Sequence, residues 1–277
     1  MDIGLFIFGL VQAGVAFLLA NGRALLPEET LRERFVRNGI FKALGTPDAD
    51  APEGFVRRLR DREGRASVVS ALAMLPGLTT LGALPNPSAA FPILVSLAFA
   101  GRLLALAVLG AREASAAADG PRVSRGRVVT LADHVPAWAI GVIVALQVAF
   151  VVAAAWLVTG PGWHPWALFA SLVLTAACVA GAAWLARQPQ RAEDATELAW
   201  SDSVRREDVV ALLTLGPTAT MVLGSLLLGG DTAQGPVGIL VWANFVVVMV
   251  AVLVVETASR RRATARLGAG EVSGARR

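Results

Sequence analysis

The chain is poor in charge and in the side chains that carry most catalytic chemistry. Of its 277 residues, 17% are charged, two are histidines, one is a cysteine and none is a tyrosine, whereas soluble chains have about 25% charged residues. A single cysteine excludes a disulfide scaffold. Hydrophobic residues make up 55% of the chain and 27 glycines add about a tenth, against about 45–50% for this set in soluble domains. This excess excludes a disordered chain and predicts an integral membrane protein.

Lysine is almost absent as well. All but one of the 25 basic residues are arginines, the exception being Lys42. This bias is typical of a GC-rich bacterial genome, so we expect the protein in the bacterial plasma membrane as a multi-pass protein. The pI near 10.7 does not indicate nucleic-acid binding, because the arginines flank apolar runs and resemble a membrane-surface collar.

Seven apolar stretches meet or approach the length of about 20 residues that a helix needs to cross a bilayer. They lie at 3–20, 66–84, 91–110, 138–159, 166–186, 209–229 and 237–255. None of them alternates between apolar and polar residues as the strands of a membrane barrel do. We therefore predict an all-α bundle of seven membrane helices that forms one domain over 1–277, with one N-terminal span followed by three helical hairpins.

The basic residues lie in alternate connections between these spans. Except for Arg102, all of them fall in 21–65, 111–137, 187–208 and 257–277, whereas 85–90, 160–165 and 230–236 contain none. Basic residues beside a span stay in the cytoplasm, which predicts an outside amino terminus and an inside carboxyl terminus. A signal peptide needs basic residues before its apolar run, and only Met1-Asp2 comes before this one, so we interpret the first span as an uncleaved anchor.

The second and the sixth predicted spans each contain a proline that belongs to a spacing recurring along the chain. A valine pair is followed eight residues later by Pro76, Pro136 and Pro217 in turn, and arginines come before each pair. Pro76 and Pro217 lie inside their spans, where we expect them to kink the helix and free a carbonyl. Both a duplicated hairpin bundle, as in many transporters, and a chance match remain open.

The segment 21–65 is too short and too polar to fold alone, and it carries two patterns typical of amphipathic helices. One lies within 27–45, with Phe35 and Phe41 available to one side, and a shorter one is centred on Phe55. Such helices lie on the inner leaflet, where arginine meets anionic headgroups. The alternative is that they dock a partner protein, for which Phe35 and Phe41 are the candidate contacts.

A second cytoplasmic segment carries the run Glu197-Leu198-Ala199-Trp200-Ser201-Asp202-Ser203-Val204-Arg205. It resembles a segment of uncharacterised bacterial polytopic membrane proteins, some of them associated with ATP-binding-cassette genes. The resemblance covers under a tenth of the chain and implies a partner but no functional residue. Trp200 and Val204 lie one helical turn apart, so we expect them to face the membrane or a partner together. The tail at 263–277 is predicted to be disordered.

Arg102 is the only charged residue within the predicted spans. A central arginine costs about 2.5–3.5 kcal/mol on insertion scales, so a partner is expected. In a structural role, the Arg102 side chain either joins two helices or snorkels to the membrane surface. In a functional role, it contacts an anionic substrate or a lipid headgroup. The candidate partners are Asp133 and Glu256 near the inner ends of spans, with Gln12, Gln147 and Asn244 as polar neighbours inside the bundle.

Other absences exclude several kinds of chemistry. No aspartate or glutamate lies within a predicted span, which argues against a carboxylate relay for protons or sodium. His134 and His164 fall near opposite faces and therefore cannot share a metal or haem, and no Walker A sequence is present. We predict no catalytic residue, cofactor or metal. The adjacent Asp133 and His134 are the only faint candidates for acid–base chemistry at an interface.

These observations favour a non-catalytic, permease-like membrane component of a transport system that works with a separate cytoplasmic ATPase or another membrane subunit. One alternative is a scaffold or sensor that acts through its cytoplasmic helices, and a weaker one is an enzyme acting on lipid. A water-filled path past Arg102, Gln147 or Asn244 would favour transport. A tightly packed interior would favour the scaffold, and a pocket at Asp133 and His134 the enzyme. The lipid bilayer is an expected partner, and nucleic acid is not.

Overall fold

A computed structural model of the chain describes residues 3–22, 24–27, 30, 54–80, 90–116, 129–157, 165–188, 190, 195–228 and part of 243–261. Its helices are α1 (Ile3–Asn21), α2 (Phe55–Thr80), α3 (Ala90–Ala116), the short α4 (Leu131–His134), α5 (Ala137–Leu157), α6 (Pro165–Arg187) and α7 (Ala195–Leu228). A further helical stretch, Val248–Ser259, follows. The regular structure of these ranges is all helical, which confirms the predicted all-α class.

Two helical segments in the described ranges are long and apolar enough to cross a membrane. They are Ile93–Ala116 within α3 and Phe169–Arg187 within α6, and shorter apolar segments lie in α1, α5 and the last helical stretch. The two long segments are compatible with a membrane location. The predicted docking residues Phe35 and Phe41, the polar Asn244 and the tail at 263–277 lie outside the described residues.

Helices α2 and α7 begin well before the apolar runs that predict them. The sequence places spans from 66 and from 209, whereas α2 begins at Phe55 and α7 at Ala195. Hydropathy detects only the apolar part of a helix, and the polar turns before it are stabilised by neighbouring helices. Phe55 is therefore continuous with α2 and buried, rather than part of a separate surface helix. Gly54, with φ of +75°, accepts the first hydrogen bond of α2 from Arg58 N–H, a conformation that favours glycine.

Helices α2 and α3 form an antiparallel pair. The Ser70 hydroxyl donates to the Ala98 carbonyl (2.8 Å), and further along α2 the backbone of Gly77 lies against Leu94, which is earlier in α3. Asn21, at the end of α1, donates through Nδ2 to Ser70 Oγ (2.8 Å). Because the preceding turns of α1 pack with Leu94 and Ala98, α1 runs in the same direction as α3.

The remaining helices continue the alternation of directions. The Arg205 guanidinium of α7 reaches the Leu185 carbonyl late in α6, whereas Gly216 lies against Thr175 earlier in α6, so these two helices are antiparallel. A Cβ atom at residue 216 would come within 2.8 Å of Thr175 Cα, so only glycine allows this close crossing. Successive long helices α1, α2, α3, α5, α6 and α7 thus run in opposite directions.

One end of the bundle, which we call the polar end, is where α1, α3 and α6 end and α2, α5 and α7 begin. An apolar cluster next to it joins α3, α5, α6, α7 and the last helical stretch; its most buried members include Ala114, Val135, Ile143, Leu185, Val209 and Val255. Helix α3 lies centrally, since it packs against α1, α2 and α7. Side chains of three helices can therefore converge around the second half of α3.

Candidate functional site

Arg102 lies on α3 and is buried, with 7% of its surface exposed. Its Nη2 donates to Glu63 Oε2 at 2.5 Å. Glu63 comes before the predicted second span, but α2 is already helical there and carries it alongside α3. The two charges form a buried interhelical ion pair.

Sequence reasoning missed Glu63 because it placed that residue in a cytoplasmic segment. The signal was available in the predicted hairpin: a turn near residue 85 puts Arg102 opposite residue 68. Glu63 is then about one and a half turns away, which two long side chains can bridge. None of the partners proposed from the sequence is needed to compensate the charge of Arg102.

A second buried ion pair joins α2 to α7. Arg62, on α2 next to Glu63, is 6% exposed, and its Nη2 pairs with Asp208 Oδ1 of α7. The same Nη2 lies 3.4 Å from the Leu106 carbonyl of α3, and Nη1 lies 3.6 Å from Glu113 Oε2. Arg62 therefore links three helices at the polar end.

The electrostatics of Arg62 reflect both its burial and the acids around it. Burial lowers the pKa of the Arg62 guanidinium from its ordinary value, and Glu113, Glu207 and Glu63 oppose that shift. Removing a charge from water costs several kcal/mol unless partners compensate it. The carboxylates around Arg62 are therefore part of what allows a charged guanidinium to remain there.

Gly110 provides the space for Asp208. A Cβ atom at position 110 would lie 2.5 Å from Asp208 Oδ2, closer than any normal contact. Asp208 is 1% exposed and sits directly before the apolar run of α7. The glycine thus allows α7 to approach α3 closely enough for the ion pair with Arg62.

An open cavity of about 280 Å³ lies between the helices at the polar end. Its charged lining is balanced, with three arginines and three acids: Arg58, Arg62, Arg205, Glu113, Glu197 and Asp208. Arg58 and Glu197 form a loose ion pair at 3.6 Å, and both residues line the cavity. Phe55, Leu59 and Val204 add apolar walls. This cavity and the two buried ion pairs form the candidate site.

The candidates Trp200 and Val204 both lie on α7. Val204 lines the cavity, so it faces the neighbouring helices of this chain rather than standing outside the bundle. Trp200 belongs to the same helix, and its side chain is not among those that the structure describes. Next to them, Arg205 donates to the Leu185 and Gln188 carbonyls at 2.6 and 3.3 Å, which satisfies the end of α6.

Gln147 lies elsewhere, in the middle of α5, and is 4% exposed. Its Nε2 donates to Thr220 Oγ1 of α7 at 2.9 Å and lies 3.4 Å from Ser171 Oγ of α6. The three side chains join three helices through polar groups, as is common in membrane bundles. Gln147 and Arg102 therefore belong to different clusters.

The other candidates have local roles in the structure. Asp133 Oδ2 accepts from the Thr130 N–H at 2.6 Å and from the Thr130 hydroxyl at 3.0 Å, which caps the short α4. His134 is buried beside it, and neither residue lines the cavity at the polar end. Gln12 lies half-buried on α1, and its Oε1 has no hydrogen-bond partner within the described ranges.

No group of three histidine, cysteine, aspartate or glutamate side chains in the described part of the chain is arranged to hold a metal ion. Cys178 is a buried free thiol in α6. No protein-family model, curated protein or solved structure matches the chain. The resemblance of the segment 197–205 to bacterial membrane proteins stays a prediction.

Proposed function

We propose that the protein crosses the bacterial plasma membrane seven times, with its amino terminus outside and its polar end in the cytoplasm. The distribution of side chains over the described helices supports this. Large apolar residues face outward along α1, α2 and α5, including Val11, Leu18, Val68, Leu72, Val148 and Val152, each at least 46% exposed. The buried positions include the charges of Arg62, Glu63, Arg102 and Asp208. Extended apolar surfaces of this kind are rare on soluble monomers and suit lipid.

Tryptophans support the placement of α5 across the bilayer. Trp138 and Trp156 lie at its two ends and are 57% and 81% exposed. Eighteen residues separate them, which is about 27 Å of helix, close to the roughly 30 Å of a hydrocarbon core. Exposed indoles at that separation suit the two headgroup layers.

Within that topology, the chain acts as a non-catalytic membrane component of a transport system and works with a separate cytoplasmic ATPase. The observation that carries this proposal is that two ion pairs connect the polar ends of α2 and α7. Both begin with a polar arm, residues 55–65 and 195–208, and both continue unbroken to an internal proline, Pro76 or Pro217. The arms extend about 16 and 20 Å beyond the apolar runs.

Two ion pairs join the arms, so force applied to one arm reaches the other. Arg58 pairs with Glu197 near their tips and Arg62 with Asp208 where they enter the bundle. A proline lacks the N–H that its helix needs, which makes it a natural place for bending. A partner that pushes on the arms can thereby tilt two helices inside the membrane, as coupling to ATP hydrolysis requires.

A scaffold or sensor remains the alternative, and the packing of the interior favours it. Arg102 and Gln147 are both buried and bonded to side chains of neighbouring helices. Such contacts hold helices together, and neither residue lines the cavity at the polar end. The two functions differ in the partner they need, because a scaffold has no use for an ATPase.

Co-purification from native membranes tests the proposal. The tagged full-length protein is expected to bring down an ATPase. Arg57→Glu, an exposed position on the α2 arm, is expected to reduce its recovery by disturbing a docking surface. Leu72→Ala, on the outward apolar face of α2, is the control and should leave recovery unchanged. Reproducible absence of an ATPase from the wild-type preparation would contradict the transport role.

A further inference from the structure

The guanidinium of Arg62 has more hydrogen-bonding capacity than its surroundings use. Nη2 forms the ion pair with Asp208 and donates a hydrogen bond to the Leu106 carbonyl. Nε and Nη1 have no hydrogen-bond acceptor within the described part of the chain. Nη1 lies 3.6 Å from Glu113 Oε2, which is too long for a hydrogen bond. Buried donors without acceptors are costly, so an acceptor that reached them would bind favourably.

Glu113 differs from the other acids around Arg62 because it is free to move aside. Its side chain is 58% exposed, whereas the side chain of Asp208 is 2% exposed and is held in the ion pair. The Glu113 carboxylate lies beside Nη1 of Arg62, and both residues line the cavity. Rotation of Glu113 into solvent would open the guanidinium to an occupant of the cavity.

From this arrangement we propose that the cavity at the polar end binds a phosphate group, whose oxygens displace Glu113 from Arg62. Arg58 and Arg205 line the same cavity, and guanidinium groups suit the several acceptor oxygens of phosphate. The cavity of about 280 Å³ is larger than phosphate alone. Its apolar walls, Phe55 and Leu59, therefore contact the organic part of a phosphate ester.

Two sources can supply that ester. Arg62 lies four residues before the apolar run of α2, about 6 Å along the helix axis, which is the depth of lipid headgroups in the proposed topology. The cavity is also lined by residues of both polar arms outside the apolar runs, so a soluble phosphate ester is the second source. The binding chemistry is the same in both cases, and it does not depend on the proposed ATPase.

Binding is measured on the purified full-length protein in a non-ionic detergent without phospholipid. The two probes are inorganic phosphate and dihexanoyl phosphatidylglycerol below its micelle concentration, each followed by isothermal titration. Saturable binding of either probe is expected. Inorganic phosphate binding points to a soluble ester, and binding of the lipid alone points to a headgroup. Failure of both probes to bind would overturn the proposal and leave the transport role untouched.

Three variants separate the proposed site from general charge effects. Glu113→Gln removes the competing carboxylate and should tighten binding by up to about fivefold, the largest effect typical of an exposed charge. Glu256→Gln makes the same change outside the cavity and should leave affinity unchanged. Arg62→Gln combined with Asp208→Asn removes the buried pair together and should weaken binding at least about tenfold.

Equal tightening by Glu113→Gln and Glu256→Gln would overturn the proposal, because net charge alone would explain it. Binding retained in the double variant would also overturn it. The double variant is compared only after circular dichroism and size exclusion show a folded, monodisperse protein. If it does not fold, the contrast between the two glutamate variants decides the result.

Discussion

Arg62 and Arg102 show how a single buried charge depends on a specific neighbour. Each guanidinium meets a carboxylate from another helix, Asp208 for Arg62 and Glu63 for Arg102. Burying an unpaired charge is far more costly than burying a pair, so the loss of one partner is the damaging change. Arg102 is the only charge in the predicted spans, and its partner Glu63 comes from a helical turn just outside them.

We expect Glu63→Leu and Arg102→Leu each to lower stability strongly, by about 3–5 kcal/mol for a buried pair broken on one side. The double variant Glu63→Leu/Arg102→Leu removes both charges and should recover most of that loss. Thermal unfolding of the purified protein in detergent measures all three. Additive losses in the double variant would show that the two side chains do not compensate each other.

Gly110 matters because its small size leaves room for the Asp208 carboxylate. Gly110→Ala places a methyl group against Asp208 and should force the carboxylate away from Arg62, at a cost of about 1–3 kcal/mol for overpacking. Gly141→Ala in α5 is the matched control, since a Cβ atom there meets nothing within 4 Å. The melting temperature should fall for the first variant and stay constant or rise for the second. Equal melting temperatures would contradict the close approach of α3 and α7.

At the level of elements, the sequence predicted the apolar helices well and their polar extensions poorly. The stretches 138–159 and 166–186 correspond closely to α5 (Ala137–Leu157) and α6 (Pro165–Arg187). These helices are apolar along almost their whole length, so hydropathy detects nearly all of them. The first turns of α2 and α7 are polar, and their burial depends on contacts between helices that are distant in sequence.

The same limit applies to the candidate site. Arg102 and Gln147 stand out in the sequence because they interrupt apolar runs, and the structure buries both. Arg62, Glu63 and Asp208 lie among many charges and carry no local signal of burial. Only the register of neighbouring helices brings them together. A hairpin turn placed near residue 85 would have predicted Glu63, but no turn predicts Asp208.

Helix α7 has features of a bending point around Pro217. Within one turn on either side, Thr214, Thr218 and Thr220 each donate to the carbonyl four residues earlier. Such bonds, together with the missing proline N–H, bend helices. Gly216 adds a close contact with α6 at the same level. We expect movement of the α7 arm to be converted into movement inside the bundle at this point.

Pro217→Ala restores a backbone N–H and should stiffen this point. Hydrogen exchange of peptides covering 213–222 is expected to slow in the variant, and the melting temperature to rise by the equivalent of about 1 kcal/mol, the value of one hydrogen bond. Peptides from α5 serve as the internal control. Unchanged exchange around residue 217 would contradict a role for Pro217 as a hinge.

For the whole molecule, alternating helix directions and alternating charge lead to the same topology. Helices α1, α3 and α6 end at the polar end and α2, α5 and α7 begin there, so connections at that end alternate with hairpins at the other. The arginine-rich segments 21–65, 111–137 and 187–208 all connect helices at the polar end. The contacts between helices place these connections at one end of the bundle, and the positive-inside rule predicts independently that this end faces the cytoplasm.

Accessibility of single cysteines tests this topology most directly. Cys178 is the only native cysteine, so Cys178→Ala provides a background into which Ser88→Cys, Thr232→Cys and Ser124→Cys are introduced one at a time. A membrane-impermeant maleimide applied to intact cells should label positions 88 and 232, and should label position 124 only after the membrane is permeabilised. Labelling of position 124 in intact cells, or protection of position 88 or 232, would contradict seven spans with a cytoplasmic polar end.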